Sequence, residues 1–275
     1  MKAGHLLDVI SRPYTVMGIL NLTPDSFSDG GQFLNPDAAI QRVKRMIEEG
    51  AGIIDIGGES TRPGAQPLTA EEEIQRVVPV IESIRAQYDI PVSIDTSKPE
   101  VMAAAVDVGA DMINDVRALQ EPGALGMAAE LQVPVCLMHM QGQPRTMQQN
   151  PTYADVVNDV KSFLLARVQA CVDAGINRNN IFIDPGFGFG KTLDHNLSLL
   201  KHLSEFVSMG LPVLVGISRK SMLGTILDAE VDQRMAGGLA TTVLGFEAGA
   251  KIFRVHDVKP TVDALKVSQA VQSAE

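Results

Sequence analysis

The chain has 275 residues, 45% of them hydrophobic and 20% charged, ordinary globular values that exclude wholesale disorder. Its 23 Lys and Arg against 33 Asp and Glu leave a formal charge of −10, which excludes a general nucleic-acid backbone binder but leaves room for a local basic pocket holding one anion. Two cysteines without a CxxC are too few for a disulfide framework, and the longest stretch free of Asp, Glu, Lys and Arg, Leu131–Pro144, has 14 residues, too short to span a membrane. Asp8 and Arg12 interrupt the N-terminus where a signal peptide needs its apolar run, so a soluble, cytoplasmic protein with one domain over 1–275 is expected.

Short apolar runs alternate along the chain with longer stretches of helical period, the pattern of parallel βα units. The runs are Tyr14–Leu20, Gly52–Ile56, Pro91–Ile94, Met112–Ile113, Val133–Met138, Ile181–Ile183, Leu211–Val215 and Lys251–Val255, the fourth being the briefest. Eight units in 275 residues give 275/8, about 34 residues each, enough for a strand, a loop and a helix. An α/β fold closed into a (β/α)8 TIM barrel is predicted, with a doubly wound open sheet as the rival.

The helices carry their own punctuation. Thr69 with Glu72 reads as a capping box opening a stripe of Ile74, Val77, Val78, Ile81 and Ile84. Val157, Val160, Leu164, Val168 and Cys171 form another stripe. Pro36, with Asn35 as cap, and Pro260 read as first-turn prolines. Gly50, Gly109, Gly175, Gly210 and Gly249 fall where helices should stop. Three of these open a faint repeat, Gly-Ala followed by a polar residue five places on, Asp55, Asn114 and Arg254, which predicts strands 2, 4 and 8.

Every run ends in polar residues: Asn21, Asp55, Asp95, Asn114, His139, Asp184, Ser218 with Lys220, and Arg254 with His256. In a parallel barrel these ends converge on the rim that carries active sites. Charge gathered there brings no stability unless it is paired or used, because buried charge costs several kcal/mol. The acids Asp95 and Asp184 with Asn114 suit a flat ligand rich in N–H donors. Arg254, Lys220 and His256 suit an anion or a stacked ring. Asn21, with Thr23 and Asp25 beyond it, supplies hard oxygen of the kind Mg2+ prefers. The turn-rich loops over about 22–36 and 57–68 are expected to act as lids.

The Gly190-Lys191-Thr192 triplet invites a P-loop reading, but Pro185 stands where the first glycine is required and offers no N–H to a phosphate. The phenylalanines Phe187 and Phe189 suit a hydrophobic wall better. Cys136 and Cys171 read as inert core thiols, and His5, His195 and His202 lack metal-ligand spacing. The Ala-, Gly- and Thr-rich stretch Met235–Ala248 suits close packing, against the barrel or in a dimer interface.

Several segments resemble the signatures of the dihydropteroate synthase family, in order and over nearly the whole chain. Gly18-Ile19-Leu20-Asn21-Leu22-Thr23-Pro24-Asp25-Ser26-Phe27-Ser28-Asp29-Gly30-Gly31 is similar to the first signature and Ile53-Ile54-Asp55-Ile56-Gly57-Gly58-Glu59-Ser60-Thr61-Arg62-Pro63-Gly64 to the second. Further matches are Asp95-Thr96-Ser97-Lys98, Ile113-Asn114-Asp115, Met138-His139, Asp184–Lys191, Ser218-Arg219-Lys220-Ser221 and Arg254-Val255-His256-Asp257.

The resemblance implies a stand-alone transferase that joins (7,8-dihydropterin-6-yl)methyl diphosphate to 4-aminobenzoate with Mg2+, releasing diphosphate and 7,8-dihydropteroate by a dissociative substitution. It implies that Asp95, Asn114, Asp184 and Lys220 hold the pterin while Arg254 stacks on it. Asn21, Arg254, His256 and Thr61 would hold the diphosphate with the metal, and Phe189, Ser218, Thr61, Arg62 and Pro63 would wall the aminobenzoate. Asp95, Lys220, Arg254 and His256 are the expected catalytic set, sulfonamides the expected inhibitors and a homodimer the expected assembly. The alternatives are a methyltetrahydrofolate:corrinoid methyltransferase, which has little need of the diphosphate ligands Asn21, Arg254 and His256, and a non-catalytic pterin-binding barrel.

Overall fold

Each of the eight runs forms a strand, and all are parallel: β1 Thr15–Asn21, β2 Ile53–Gly57, β3 Val92–Asp95, β4 Met112–Asp115, β5 Val135–Met138, β6 Ile181–Asp184, β7 Leu214–Val215 and β8 Ile252–Val255. These come from a computed structural model that describes residues 3–22, 36–60, 66–143 and 146–274. The ladder runs β6-β5-β4-β3-β2-β1-β8-β7. A parallel bridge between Ile183 and Val213, with Ile183 N–H donating to Pro212 O at 3.1 Å, brings β6 against the approach to β7 and nearly closes the barrel. The open-sheet rival is thereby excluded.

The shortest strand is β7, not the fourth run, which extends to Asp115. Pro212 has no N–H to give the ladder, and Val213 O accepts from both Lys251 N and Ile252 N, so regular pairing begins only at Leu214.

Inward-facing positions form two storeys. The lower one is apolar: Met17, Ile53, Met112, Cys136, Phe182, Leu214 and Ile252 fill the barrel, and Leu6 and Val9 of α1 (Ala3–Ile10) plug its N-terminal end. No periodicity in the first ten residues marks this plug. Two residues further along, where period 2 returns each strand to the interior, stand Asp55, Asn114, Asp184 and Arg254. The outer faces of the strands carry the larger core against the helices.

Among the described residues the helices that follow the strands are α2 Pro36–Glu48, α3 Ala70–Gln87, α4 Pro99–Asp107, α5 Ala124–Leu131, α6 Val156–Asp173, α7 Leu193–Lys201, α8 Leu203–Val207, α9 Ser221–Leu227, α10 Met235–Glu247 and α11 Val258–Gln272. The capping box of α3 is present, Glu72 N–H donating to Thr69 Oγ1 at 3.2 Å and Thr69 N–H to Glu72 Oε2 at 2.8 Å. Its stripe buries Val77, Val80, Ile81 and Ile84, with Ile74 and Val78 half-buried at its margin. The α6 stripe is buried throughout. Pro36 and Pro260 both lie in first turns, and Asn35 lies outside the described residues. The five helix-stopping glycines all have φ between 71° and 115°, the left-handed exit that lets the chain turn back to the barrel. The Gly-Ala repeat precedes β2, β4 and β8, as its spacing predicts. Segment α10 does pack inward, Thr241, Thr242, Gly245 and Phe246 being buried, while Met235 and Leu244 are exposed.

Candidate active site

The polar storey is organised around Arg254. The alternation of β8 places it two residues above the apolar Ile252, with its side chain reaching across the mouth. Its Nε donates to Asp55 Oδ2 at 2.6 Å, and its second guanidine nitrogen donates to Asp95 Oδ2 at 2.7 Å. Asn114 Nδ2 lies 3.4 Å from both Asp55 oxygens. In this buried site both Asp95 and Arg254 are shifted. Burial pushes the Asp95 carboxyl up to about 7, with Asp55, Glu73 and Asp115 adding to the rise and Arg254 opposing it. Burial opposes the charge of Arg254, but Asp55 and Asp95 more than offset it and hold the guanidinium more firmly protonated than usual.

Across the mouth, Asp184 closes β6 and accepts from Gly186 N–H at 2.7 Å. Its carboxyl is raised by burial, against the pull of Lys220. The Lys220 ammonium, lowered to about 8 by burial, donates to Phe187 O and lies 4.6 Å from the centre of the Phe189 ring. The two phenylalanines divide the work: Phe187 is fully buried in the core, and half-buried Phe189 faces Lys220. The lysine of the Gly190-Lys191-Thr192 triplet turns inward, 3% exposed, and donates to loop carbonyls, which is no phosphate cradle.

Ser218 Oγ accepts from His256 N–H at 3.2 Å and lies 3.1 Å from His256 Nδ1, which fixes the imidazole at the β8 edge of the mouth. Arg42 of α2 donates to His256 O at 2.6 Å. The adjoining Arg219, at φ 60°, pairs with Asp257. Asn21 ends β1 opposite Gly57, and its Oδ1 and Asp95 Oδ2 each approach within 3.7 Å of where a Gly57 Cβ would stand. A cavity of about 360 Å³ opens beside Asp95 and is lined by Glu59, Glu73, Lys98 and Arg117. Thr61, Arg62, Pro63, Thr23 and Asp25 lie outside the described residues, as do most positions of the two expected lids. The structure thus brings Asn21, Asp95, Asn114, Asp184, Phe189, Ser218, Lys220, Arg254 and His256 to one rim.

A model of the pterin binding enzymes matches residues 17–256. The dihydropteroate synthase of Haemophilus influenzae is 57% identical over 259 residues, covering 94% of each chain. The chain belongs to the dihydropteroate synthase family. Among solved members of that family, the Yersinia pestis enzyme, in a sulfonamide drug complex, superposes with a TM-score of 0.92 at 53% identity over 96% of both chains. The Xanthomonas albilineans enzyme with 4-aminobenzoic acid gives 0.90 at 52% identity, over 95% of this chain and 94% of that one.

Within this dihydropteroate synthase fold, three polar residues hold the rim together that sequence reasoning left outside the candidate site. Asp55, read as a strand end and repeat position but given no role in the site, anchors Arg254. Lys191 and His139 form a buried pair, Nζ to Nδ1, at 2.9 Å. Burial first, and the Lys191 charge second, push His139 down to about 3. The signal for Asp55 was available, since it occupies the repeat position shared with Asn114 and Arg254. Cys136 faces the barrel floor and Cys171 the helix layer, both thiols raised by burial, as inert core thiols require. His195 completes the capping box of α7, and His202 caps its end.

Proposed function

We infer that the enzyme condenses (7,8-dihydropterin-6-yl)methyl diphosphate with 4-aminobenzoate, giving 7,8-dihydropteroate and diphosphate in folate biosynthesis. The observation that carries this reading is the Asp55–Arg254–Asp95 bridge, which sets acid acceptors for a nitrogen-rich ring beside a cation for its leaving anion. Asp95, Asn114 and Asp184 accept from the pterin N–H groups, and Lys220 donates to its carbonyl oxygen. Arg254, exchanging Asp95 for the ligand, lies over the ring and meets the diphosphate with His256. Phe189 and Ser218, with Thr61, Arg62 and Pro63, enclose the aminobenzoate.

The difficult step is loss of diphosphate from a primary carbon. The dihydropterin ring delocalises the cation left behind, and Asp95 stabilises it electrostatically. Arg254 and His256 stabilise the departing charge. The weakly basic aryl amine then attacks the methylene, needing position more than a base. Asn21 offers an amide oxygen beside Asp95, a hard donor that would hold Mg2+. When bound, that ion neutralises charge on the leaving group. The corrinoid methyltransferase reading would share Asp95, Asn114 and Asp184 but has little need of Asn21, Arg254 and His256, and a carrier needs no leaving-group site.

No helix among the described residues is long and apolar enough to cross a membrane. We place the enzyme in the cytoplasm as a homodimer, using apolar residues that the mutually packed α7, α9 and α10 leave exposed, Leu197, Leu227 and Leu244. Light scattering at the mass of two chains supports that assembly, and a single-chain mass rejects it.

The deciding experiment follows diphosphate and dihydropteroate released from the pterin diphosphate with Mg2+, with and without 4-aminobenzoate. One-to-one release dependent on aminobenzoate supports the transferase. Pterin binding without diphosphate release overturns it and leaves a pterin-binding barrel.

A further inference from the structure

The β6–α7 loop, Gly186–Gly190, contains five successive carbonyls, and each is met by a side-chain donor. Gly186 O and Phe189 O accept from Lys191 Nζ at 2.8 and 3.0 Å, Phe187 O from Lys220, Gly188 O from Gln148 Nε2 and Gly190 O from the Tyr153 hydroxyl at 2.7 Å. The Lys191 amino group also meets His139 Nδ1 at 2.9 Å and His139 O at 3.3 Å, and burial holds its pKa well below the ordinary lysine value, so one buried nitrogen ties the loop to the end of β5. The loop lies directly on that neighbour. A Cβ at Gly186 would stand 1.9 Å from His139 O, and one at Gly190 2.4 Å from Gln141 O, both at positive φ. Two carbonyls held by one amino group bracket the turn that presents Phe187 O and the Phe189 ring to Lys220.

We propose that Lys191, backed by His139, is a positioning residue that presets the Phe189–Lys220 wall, and so sets affinity for the aryl amine substrate rather than for the pterin. This rests on the functional reading above, in which Phe189 walls the aminobenzoate. The difference between the two substrates follows from what holds each half of the site. Asp95, Asn114 and Asp184 sit on β3, β4 and β6 and are placed by strand ladders. Phe189 sits on an irregular loop whose carbonyls take side-chain donors, Gly186 O alone of the five also accepting from a backbone N–H in the loop, that of Phe189 at 3.1 Å. Without Lys191, Phe189 O loses its side-chain donor and Gly186 O keeps only the Phe189 N–H, so the turn that carries the Phe189 ring is loosened.

The test measures both substrates in Lys191→Met, which keeps an unbranched stem, and in Tyr153→Phe, which removes only the Gly190 O donor. For Lys191→Met the expected result is a rise of about 10-fold or more in KM for 4-aminobenzoate and in the sulfonamide inhibition constant, the size expected when several buried hydrogen bonds positioning a binding group are lost. Pterin diphosphate affinity by calorimetry should stay within about 3-fold, its contacts being held by the strands. For Tyr153→Phe, one neutral bond lost, a rise of about 3-fold in aminobenzoate KM is expected. A lower melting temperature with both substrate constants unchanged would mean a purely structural lysine and overturn the proposal, as would equal weakening of both substrates. If Lys191→Met does not fold, Tyr153→Phe decides alone, and an unchanged aminobenzoate KM there overturns it. Wild-type enzyme without aminobenzoate-dependent release would overturn the functional reading and this inference together. Normal wild-type turnover with unshifted variants overturns the inference alone.

Discussion

Asp55 and Arg254, 199 residues apart in sequence, are joined by a 2.6 Å hydrogen bond in the barrel mouth, where Asp55 is fully buried. The pair fixes the Nε side of the guanidinium and leaves its other nitrogens to swing between Asp95 and a ligand. Asp55→Asn is therefore expected to loosen Arg254 without emptying the site. A misplacement of about 1 Å costs about 10²-fold, so kcat/KM for the pterin diphosphate should fall by about that factor. Arg254→Lys should be no better tolerated, because an ammonium cannot bridge two carboxylates as a planar fork does. Steady-state kinetics on both variants, with melting curves to confirm folding, checks this. An Asp55→Asn enzyme with wild-type kcat/KM would remove the anchoring role.

The acids and bases of the mouth also fix a pH window. Asp95 must be a carboxylate to accept N–H groups and to face a cation, and burial raises it to about 7, so activity should fall as pH drops below that value. Lys220 must keep its proton to donate, and burial lowers it to about 8, so activity should fall again above that value. The expected profile of kcat/KM for the pterin diphosphate is a narrow bell, since that parameter reports groups of the free enzyme. Asp95→Asn should remove the acid limb and lower kcat by about 10²-fold or more while changing aminobenzoate affinity by less than about 3-fold. A flat profile in the wild type, or an Asp95→Asn enzyme with full turnover, would contradict this assignment.

Much of this architecture was legible because barrel and site share one periodicity. The alternation that buries Ile53, Met112, Phe182 and Ile252 necessarily lifts Asp55, Asn114, Asp184 and Arg254 into the mouth above them. Reading where each apolar run stops was therefore enough to locate the rim. Contacts between distant elements were not legible. Nothing local marks Lys191 as a loop clamp, because its acceptors are backbone carbonyls, identical at every residue. The Asp55–Arg254 bond depends on β2 and β8 both facing inward across the mouth, a closure that no local pattern encodes. The α1 plug is not legible because Leu6 and Val9, with Ile10 half-buried beside them, make too short a stripe to stand out.

Glycine content gives a contrast that separates close packing from mere flexibility. Gly186, at φ 70° with His139 O only 1.9 Å from where a Cβ would stand, admits no side chain without moving the backbone. Gly186→Ala should lower the melting temperature by roughly 5–10 °C and abolish aminobenzoate-dependent turnover, combining left-handed strain with overpacking. Gly126, inside α5, has nothing within 4 Å of its Cβ position. Gly126→Ala should leave activity unchanged and raise the melting temperature by roughly 1–3 °C, through lower unfolded-chain entropy. Thermal melts and turnover measured side by side decide both. An active, undiminished Gly186→Ala enzyme would show that the loop does not lie against β5 as described.

The wall formed by Phe189 and Lys220 makes a last prediction about inhibitors. A sulfonamide presents the same aryl amine as 4-aminobenzoate, with an acidic group opposite it, so in the pocket assigned above it should compete with aminobenzoate. Raising aminobenzoate should restore full velocity in the presence of the drug, and raising the pterin diphosphate should not. The Phe189 ring packs on one face against the Lys220 ammonium, 4.6 Å from its centroid, and offers apolar area to an arene. Phe189→Ala removes that area and the cation–π contact, and should raise the sulfonamide inhibition constant and the aminobenzoate KM together, each by about 10-fold. Parallel shifts are the decisive feature, because both molecules are taken to use the same wall. Inhibition that stays constant at saturating aminobenzoate, or a Phe189→Ala enzyme in which only one of the two constants moves, would place the drug elsewhere.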